Sequence, residues 1–356
     1  DSFYTLMKWS DEYRDIGIRV NADTPQDAGV ASKFGIEGIG LCRTEHMFFA
    51  EERLTVLREA IFAHSSLDRA TALERILPMQ RKDFSALFKI MAPLPVCLRL
   101  FDPPLHEFLP NSRAGVQQLA EAMNLTLKEV QERIEGLSEF NPMLGMRGVR
   151  LGIIVPEIYE MQARAIFEAV IDISISSKQN IVPEIMIPLV SAKREVELVK
   201  SSIDSVAKQV SEESGCSIDY KLGVMVETPR AALRAGEISR DVTFFSFGTN
   251  DMTQMTYGLS RDDAGRFMSN YVSQGVFEED PFHILDRDGV GELLSLACER
   301  GRETNKNLTL SVCGEHGGDP ESIEFCRALG MDYVSCSPYR VPVAKLAAAQ
   351  LAIINK

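Results

Sequence analysis

Two stretches of this 356-residue chain run from an apolar segment straight into a carboxylate. Leu222-Gly-Val-Met-Val-Glu227 ends on an acid and continues into Thr228-Pro229, where proline suits a helix's first turn and threonine its cap. Phe244-Phe-Ser-Phe-Gly248-Thr249-Asn250-Asp251 enters a polar turn in which Gly248 permits close backbone approach. A helix opening near Asn250 and Asp251 offers free N–H groups to a phosphate or carboxylate, although both residues also serve as ordinary helix caps. Glu227 and Asp251 are 24 residues apart, one strand–helix unit, so their oxygens can reach one point above neighbouring strands. Paired acids in a chain with five scattered histidines favour a hard cation, Mg²⁺ or Mn²⁺, over Zn²⁺. Glu227 taken alone would equally suit an arginine partner.

Positive charge falls at comparable places. Arg43 ends the apolar run of Gly38-Ile-Gly-Leu-Cys-Arg-Thr-Glu-His46, Arg99 lies inside Val96-Cys-Leu-Arg-Leu-Phe-Asp102, and Arg147 follows the Pro142-Met-Leu-Gly-Met turn. A charge inside a buried strand is costly unless paired, and a guanidinium fork matches the oxygens of a phosphoryl or carboxylate group. An internal salt-bridge network is the alternative use of the same arginines. Cys313, in Val312-Cys-Gly-Glu-His-Gly-Gly318, meets a glycine-rich turn, whereas Cys97 and Cys336 read as core residues. With an ordinary thiol pKa of about 8.5, Cys313 is suited to donating a proton and being reloaded near neutral pH.

These residues need a scaffold that brings strand ends together. Short β-branched runs alternate with helical stretches, as in a parallel sheet of βα units. The strand candidates are Ile18–Ala22, Ile39–Cys42, Val96–Phe101, Glu184–Leu189, Leu222–Val226, Thr243–Phe247, Leu308–Cys313 and Tyr333–Cys336. Eight strands close a TIM barrel, whose chemistry sits at the strands' C-terminal ends. Between them, Ile158, Met161, Ala165 and Ala169, and then Val196, Val199, Ile203 and Val206, recur at helical spacing as faces for packing. The long intervals after strands three and six predict insertions there, the first with a helix around Thr126–Leu137 and the second loop-like over Gly258–Phe282. An open doubly wound sheet is the alternative, but no GxGxxG follows an early strand.

Composition narrows the partners. With 38 basic against 51 acidic residues the net charge is −13, and no basic patch points to nucleic acid. No apolar run is long enough for a transmembrane helix. Seven scattered cysteines without a CxxC pair fit a reduced intracellular or organellar chain with neither a disulfide framework nor a zinc site. The opening at Asp1 without methionine suggests a piece of a longer protein.

Taken together, GIGLCRTEHMFF, NPMLGMRGVRLGI, EIMIPLV, GVMVETPRAAL, FFSFGTNDMTQMTYGLSRDD and VCGEHGGDPES resemble the PEP/pyruvate-binding C-terminal domain of the PEP-utilising enzymes, from about Arg19 to Arg340. CRTEHMFF and VCGEHGGDPES look most like the dikinase branch; enzyme I of the sugar phosphotransferase system and PEP synthase share the layout. The resemblance implies one (β/α)₈ TIM-barrel domain over residues 1–356, Mg²⁺ (with Mn²⁺ as substitute), and phosphoryl exchange between a phosphohistidine and pyruvate. It implies Glu227 and Asp251 as metal ligands, Arg43, Arg99 and Arg147 as phosphoryl-binding arginines, Gly248, Thr249 and Asn250 as the substrate-binding turn, and Cys313 as the acid/base at C3. No GGxTSHAA-like segment is present, and His46, His64, His106, His283 and His316 lie outside any such motif. The phosphohistidine is therefore expected on another domain of the full-length chain, with a homodimer formed through the barrel and a cytoplasmic or plastid location. The competing readings are a Mg²⁺-dependent pyruvate aldolase on a similar barrel and a non-catalytic PEP-sensing module.

Overall fold

The computed structural model describes residues 2–63 and 65–354, so His64 lies outside the described residues. Eight strands form the frame: β1 (Gly17–Asn21), β2 (Ile39–Arg43), β3 (Val96–Arg99), β4 (Glu184–Ile187), β5 (Lys221–Val226), β6 (Phe244–Phe247), β7 (Thr309–Val312) and β8 (Tyr333–Cys336). Each pairs in parallel with the next, and β8 pairs with β1, closing the barrel in sequence order. Every parallel crossover carries its helices outside, so the strands are buried on both faces and read as continuous apolar runs.

Two packing regions result. The larger lies between strands and helices and contains Ile18, Val20, Ile185, Val224, Phe245 and Val334. A smaller cluster fills the barrel itself, with Leu41, Cys97, Met186, Met225, Phe244 and Cys313. The helical faces read from sequence are buried as expected, on the helices Pro156–Ser177 and Lys193–Ser214.

Both expected insertions are present. The one after β3 holds the helices Arg113–Met123 and Leu127–Leu137, the latter opened by a capping box between Thr126 and Glu129. The one after β6 holds two short helices, Arg261–Ala264 and Met268–Ser273. A third excursion escaped the sequence reading. Between β2 and β3 lie the helices Glu51–Phe62 and Ser66–Met91, the second of 26 residues with Pro78 inside it. That helix buries Leu73, Ile76, Phe84, Leu87 and Met91 and touches the Pro156–Ser177 helix through Gln80 and Gln162. The surplus beyond a minimal barrel is therefore shared among three connections. Among the described residues, no helix is long and apolar enough to cross a membrane, and all seven cysteines are unpaired.

Candidate active site at the barrel mouth

The C-terminal ends of the strands surround a cavity of about 990 Å³. Arg43, Arg99, Arg147, Glu227, Gly248, Asn250, Asp251 and Cys313 all line it. Thr249 does not. Its side chain is fully buried and its hydroxyl is taken up by His316 at 2.7 Å, so only its main chain is available to a ligand. Thr249, expected as part of the substrate-binding turn, thus lies between two residues that line the cavity, Gly248 and Asn250.

Glu227 follows β5 and is 1% exposed. Thr228 behind it caps the next helix by accepting from the Ala231 N–H, and its own hydroxyl donates to the Val190 carbonyl, which ties β5's end to β4's. The Glu227 Oε1 accepts from the Leu189 N–H at 2.7 Å. Leu189 presents that amide from a left-handed backbone with φ 58°, a costly conformation for leucine and one characteristic of residues held for function. The other oxygen lies over Gly248, where a Cβ would come within 2.6 Å of it. Glycine at 248 is what lets the carboxylate lie across the β6 turn. Burial, then the negative charges of Asp251 and Asp102, push the Glu227 carboxyl well above the usual carboxylate range against the pull of Arg147 and Arg99. Asp251 sits in the first turn of the helix Thr249–Tyr257, where its Oδ1 accepts from Gln254 at 3.2 Å.

The arginines are paired, but not all to the same degree. Arg43 gives its Nε and Nη2 to Asp23, at 2.9 and 2.7 Å, and His46 Nδ1 meets the same oxygen at 2.8 Å. Arg99 pairs with Glu45 and, at 3.3 Å, with Asp102. Arg147 pairs with Asp102 at 2.7 Å and reaches Asp251 at 3.5 Å. At the bottom of the mouth four carboxylates, Glu45, Asp102, Glu227 and Asp251, thus face two guanidinium groups, Arg99 and Arg147. The pairing leaves Glu45 Oε2, Asp102 Oδ1, Arg99 Nε and Arg147 Nε buried without a hydrogen-bond partner. Such a deficit of positive charge fits a divalent cation. Among the described residues, no three His, Cys, Asp or Glu side chains cluster closely enough to hold a metal unaided. A cation held by Glu227 and Asp251 would complete its shell with water and ligand oxygens, the habit of Mg²⁺.

Cys313 follows β7 and is 3% exposed. Its Sγ faces the Phe247 carbonyl at 3.7 Å, and its own carbonyl accepts from Asn21 Nδ2 at 3.0 Å. Burial pushes the thiol up to about 11, with the Ser246 hydroxyl opposing and the Glu227 charge adding to the rise. Burial therefore favours the protonated thiol at Cys313 across the neutral range.

Sequence reasoning missed the partners. Glu45 stands two residues beyond Arg43 and Asp102 three beyond Arg99, so each carried a weak signal as an acid beside a strand-end arginine. Asn21, Asp23 and His46 sit at or just past strand ends, the places already singled out for chemistry, and were passed over. Leu189 carried no signal, since nothing about leucine announces a left-handed backbone.

A closed parallel barrel whose mouth gathers paired acids, arginines and one thiol defines a (β/α)₈ protein with a polar cavity at the C-terminal ends of its strands. Its family is equally plain: residues 1–353 match the family described as "PEP-utilising enzyme, PEP-binding domain", and the chain belongs to it. It is 55% identical over 351 residues to the pyruvate, phosphate dikinase of Rhizobium meliloti (strain 1021), covering 99% of this chain and 39% of that protein. The pyruvate, phosphate dikinase of Clostridium symbiosum is 50% identical, covering 100% of this chain and 41% of the relative. The chloroplastic pyruvate, phosphate dikinase 1 of Oryza sativa subsp. japonica is 53% identical, covering 98% and 37%. The chain spans about two fifths of the length of these relatives.

Proposed function

We propose that this chain is the PEP/pyruvate-binding unit of a pyruvate, phosphate dikinase, interconverting pyruvate and phosphoenolpyruvate with a phosphohistidine carried by another domain of the same full-length protein. The observation that carries the reading is the union, in one cavity, of a protonated buried thiol with two acids and three arginines. Mg²⁺, or Mn²⁺ in its place, would be held by Glu227 and Asp251 and would stabilise negative charge on the substrate's oxygens as a Lewis acid.

The chain's own residues do the rest. Arg99 and Arg147 are fixed by Glu45 and Asp102, so their remaining N–H groups are preorganised toward an anion. Arg43, anchored on Asp23 through Nε and Nη2, keeps Nη1 outside that pair for the migrating phosphoryl group. When the phosphorus–oxygen bond of PEP breaks toward the histidine, the electron pair stays on the substrate oxygen as enolate. The Cys313 thiol then gives its proton to C3, leaving pyruvate and a thiolate, and the reverse direction returns that proton. Homodimer formation and a cytoplasmic or plastid location belong to the same proposal.

The test uses the full-length protein, pyruvate and deuterium oxide. Cys313→Ala should lower exchange of the pyruvate methyl protons by at least about 100-fold while PEP binding persists. In the unsubstituted protein, exchange should climb about tenfold per pH unit between pH 7 and 9, as the thiolate fraction of a group near 11 requires. Normal exchange in the alanine variant would remove Cys313 from the mechanism. An aldolase would instead cleave a longer acid to pyruvate without phosphohistidine, and a sensor would tolerate Cys313→Ala.

A further inference from the structure

One fully buried titratable side chain outside the cavity lining joins three pieces of the mouth. His316 lies in the turn Glu315–Gly318 beyond β7 and has no exposed surface. Its Nε2 is 3.0 Å from the carbonyl oxygen of Pro281, in the insertion after β6. A carbonyl only accepts, so Nε2 carries the ring proton. Nδ1 then holds a lone pair, and the Thr249 hydroxyl, 2.7 Å away, donates to it. Burial holds the ring's pKa below the ordinary histidine value, in keeping with a neutral imidazole. The Thr249 hydroxyl also lies over Gly314, where a Cβ would approach it to 2.0 Å, so glycine is required for the two turns to meet. A second tie lies beside the first, as the Glu315 N–H donates to Asn250 Oδ1 at 3.4 Å.

Thr249 opens the helix that carries Asp251 in its first turn, and Gly314 directly follows Cys313. We propose that His316 is a positioning residue, whose neutral Nε2–H tautomer holds the Thr249–Asp251 turn in register with the Cys313 turn and with the insertion after β6. The distance between the proton-donating thiol and the cation-facing acid is then set by a side chain that touches neither ligand. The proposal rests on the roles given above to Cys313 and Asp251. A histidine that merely filled space would be replaceable at a cost in thermal stability alone. A latch also affects both ends of the site in the protein that remains folded.

The experiment measures three quantities on the full-length protein: binding of Mn²⁺ without substrate, deuterium exchange into pyruvate, and the melting temperature. His316→Gln keeps a donor toward Pro281 while altering the acceptor presented to Thr249, and Thr249→Val removes the hydroxyl and keeps the shape. Each should weaken Mn²⁺ binding and slow exchange by about 10-fold, the usual effect of losing an outer partner of a metal ligand. Thr249→Ser, which restores the hydroxyl, should recover most of the loss seen in Thr249→Val. The double variant should lose little more than either single one, because both remove the same bond. Wild-type Mn²⁺ binding and exchange in folded Thr249→Val would overturn the latch, even if His316→Gln fails to fold. If the unsubstituted protein neither bound Mn²⁺ nor exchanged pyruvate protons, the functional reading itself would fall and the latch with it.

Discussion

The floor and the mouth of the barrel both bury charge, and they settle it differently. At the floor, Arg19 of β1 meets Glu184 of β4 at 2.6 Å, Lys221 approaches the same acid at 3.7 Å, and the Arg19 guanidinium lies 3.9 Å over the Tyr333 ring. Each charge there has its counterpart within the protein. At the mouth, acids outnumber arginines and four polar atoms of the central cluster stay unpartnered. The floor holds the fold together, while the mouth is left with valences that a ligand can fill. The same division of labour follows from barrel geometry, since loops at the C-terminal face vary and the opposite face is bound up in the strand starts.

Glu227→Gln should break the comparison most severely. The amide can still accept from Leu189 N–H but no longer offers a charge, so activity of the full-length protein should fall on the order of 10³-fold or more. The ligand-free protein should at the same time gain about 1–2 kcal/mol, because a buried excess charge has gone. A urea titration beside a Mn²⁺ titration checks both, and a loss of stability would mean that the mouth is balanced after all. At the floor the signs reverse. Arg19→Met should cost about 3 kcal/mol, leaving Glu184 buried with only Lys221 nearby, yet leave Mn²⁺ affinity unchanged. Adding Glu184→Met should recover much of that loss, and altered Mn²⁺ binding in either variant would show that floor and mouth are coupled.

The smallest effect concerns the rim. Burial alone would raise the Asp23 carboxyl, but hydrogen bonds from His46 and Arg43 overcome it and hold the group below its ordinary 3.8. A depressed acid stabilises the fold above the unfolded value and loses that contribution as pH falls through the folded one. Asp23→Asn should therefore cost about 1–2 kcal/mol at pH 7 and progressively less below pH 4, measured by chemical denaturation across that range. An equal loss at every pH would assign the effect to packing.

How much of this was readable without coordinates depends on the range of each interaction. Strand positions were legible because a β-branched run between helical faces is a local pattern, and all eight strands start within a residue of where that pattern begins. Glu227, Asp251, Arg43 and Cys313 stood out because a polar residue at the end of an apolar strand is unusual in any context. The pairing of Arg99 with Glu45 and of Arg147 with Asp102 was hidden, since it depends on which strand ends become neighbours. The bond between Thr249 and His316 was hidden for the same reason, since only the packed loops bring those two turns together. The helix Ser66–Met91 escaped because it and its neighbour fill a connection that was read as ordinary.

Leu189 has a bearing on how such a protein can be improved. Glycine or asparagine would take its φ of 58° with less backbone penalty, but the leucine side chain is fully buried, so either replacement costs about 2–5 kcal/mol in lost burial and a cavity, more than the backbone gains. The peptide unit held there is the one whose N–H fixes the Glu227 carboxylate. Packing, not backbone preference, therefore keeps leucine at this position, and one residue serves two neighbours at once: its side chain fills the core while its amide holds the carboxylate at the end of β5.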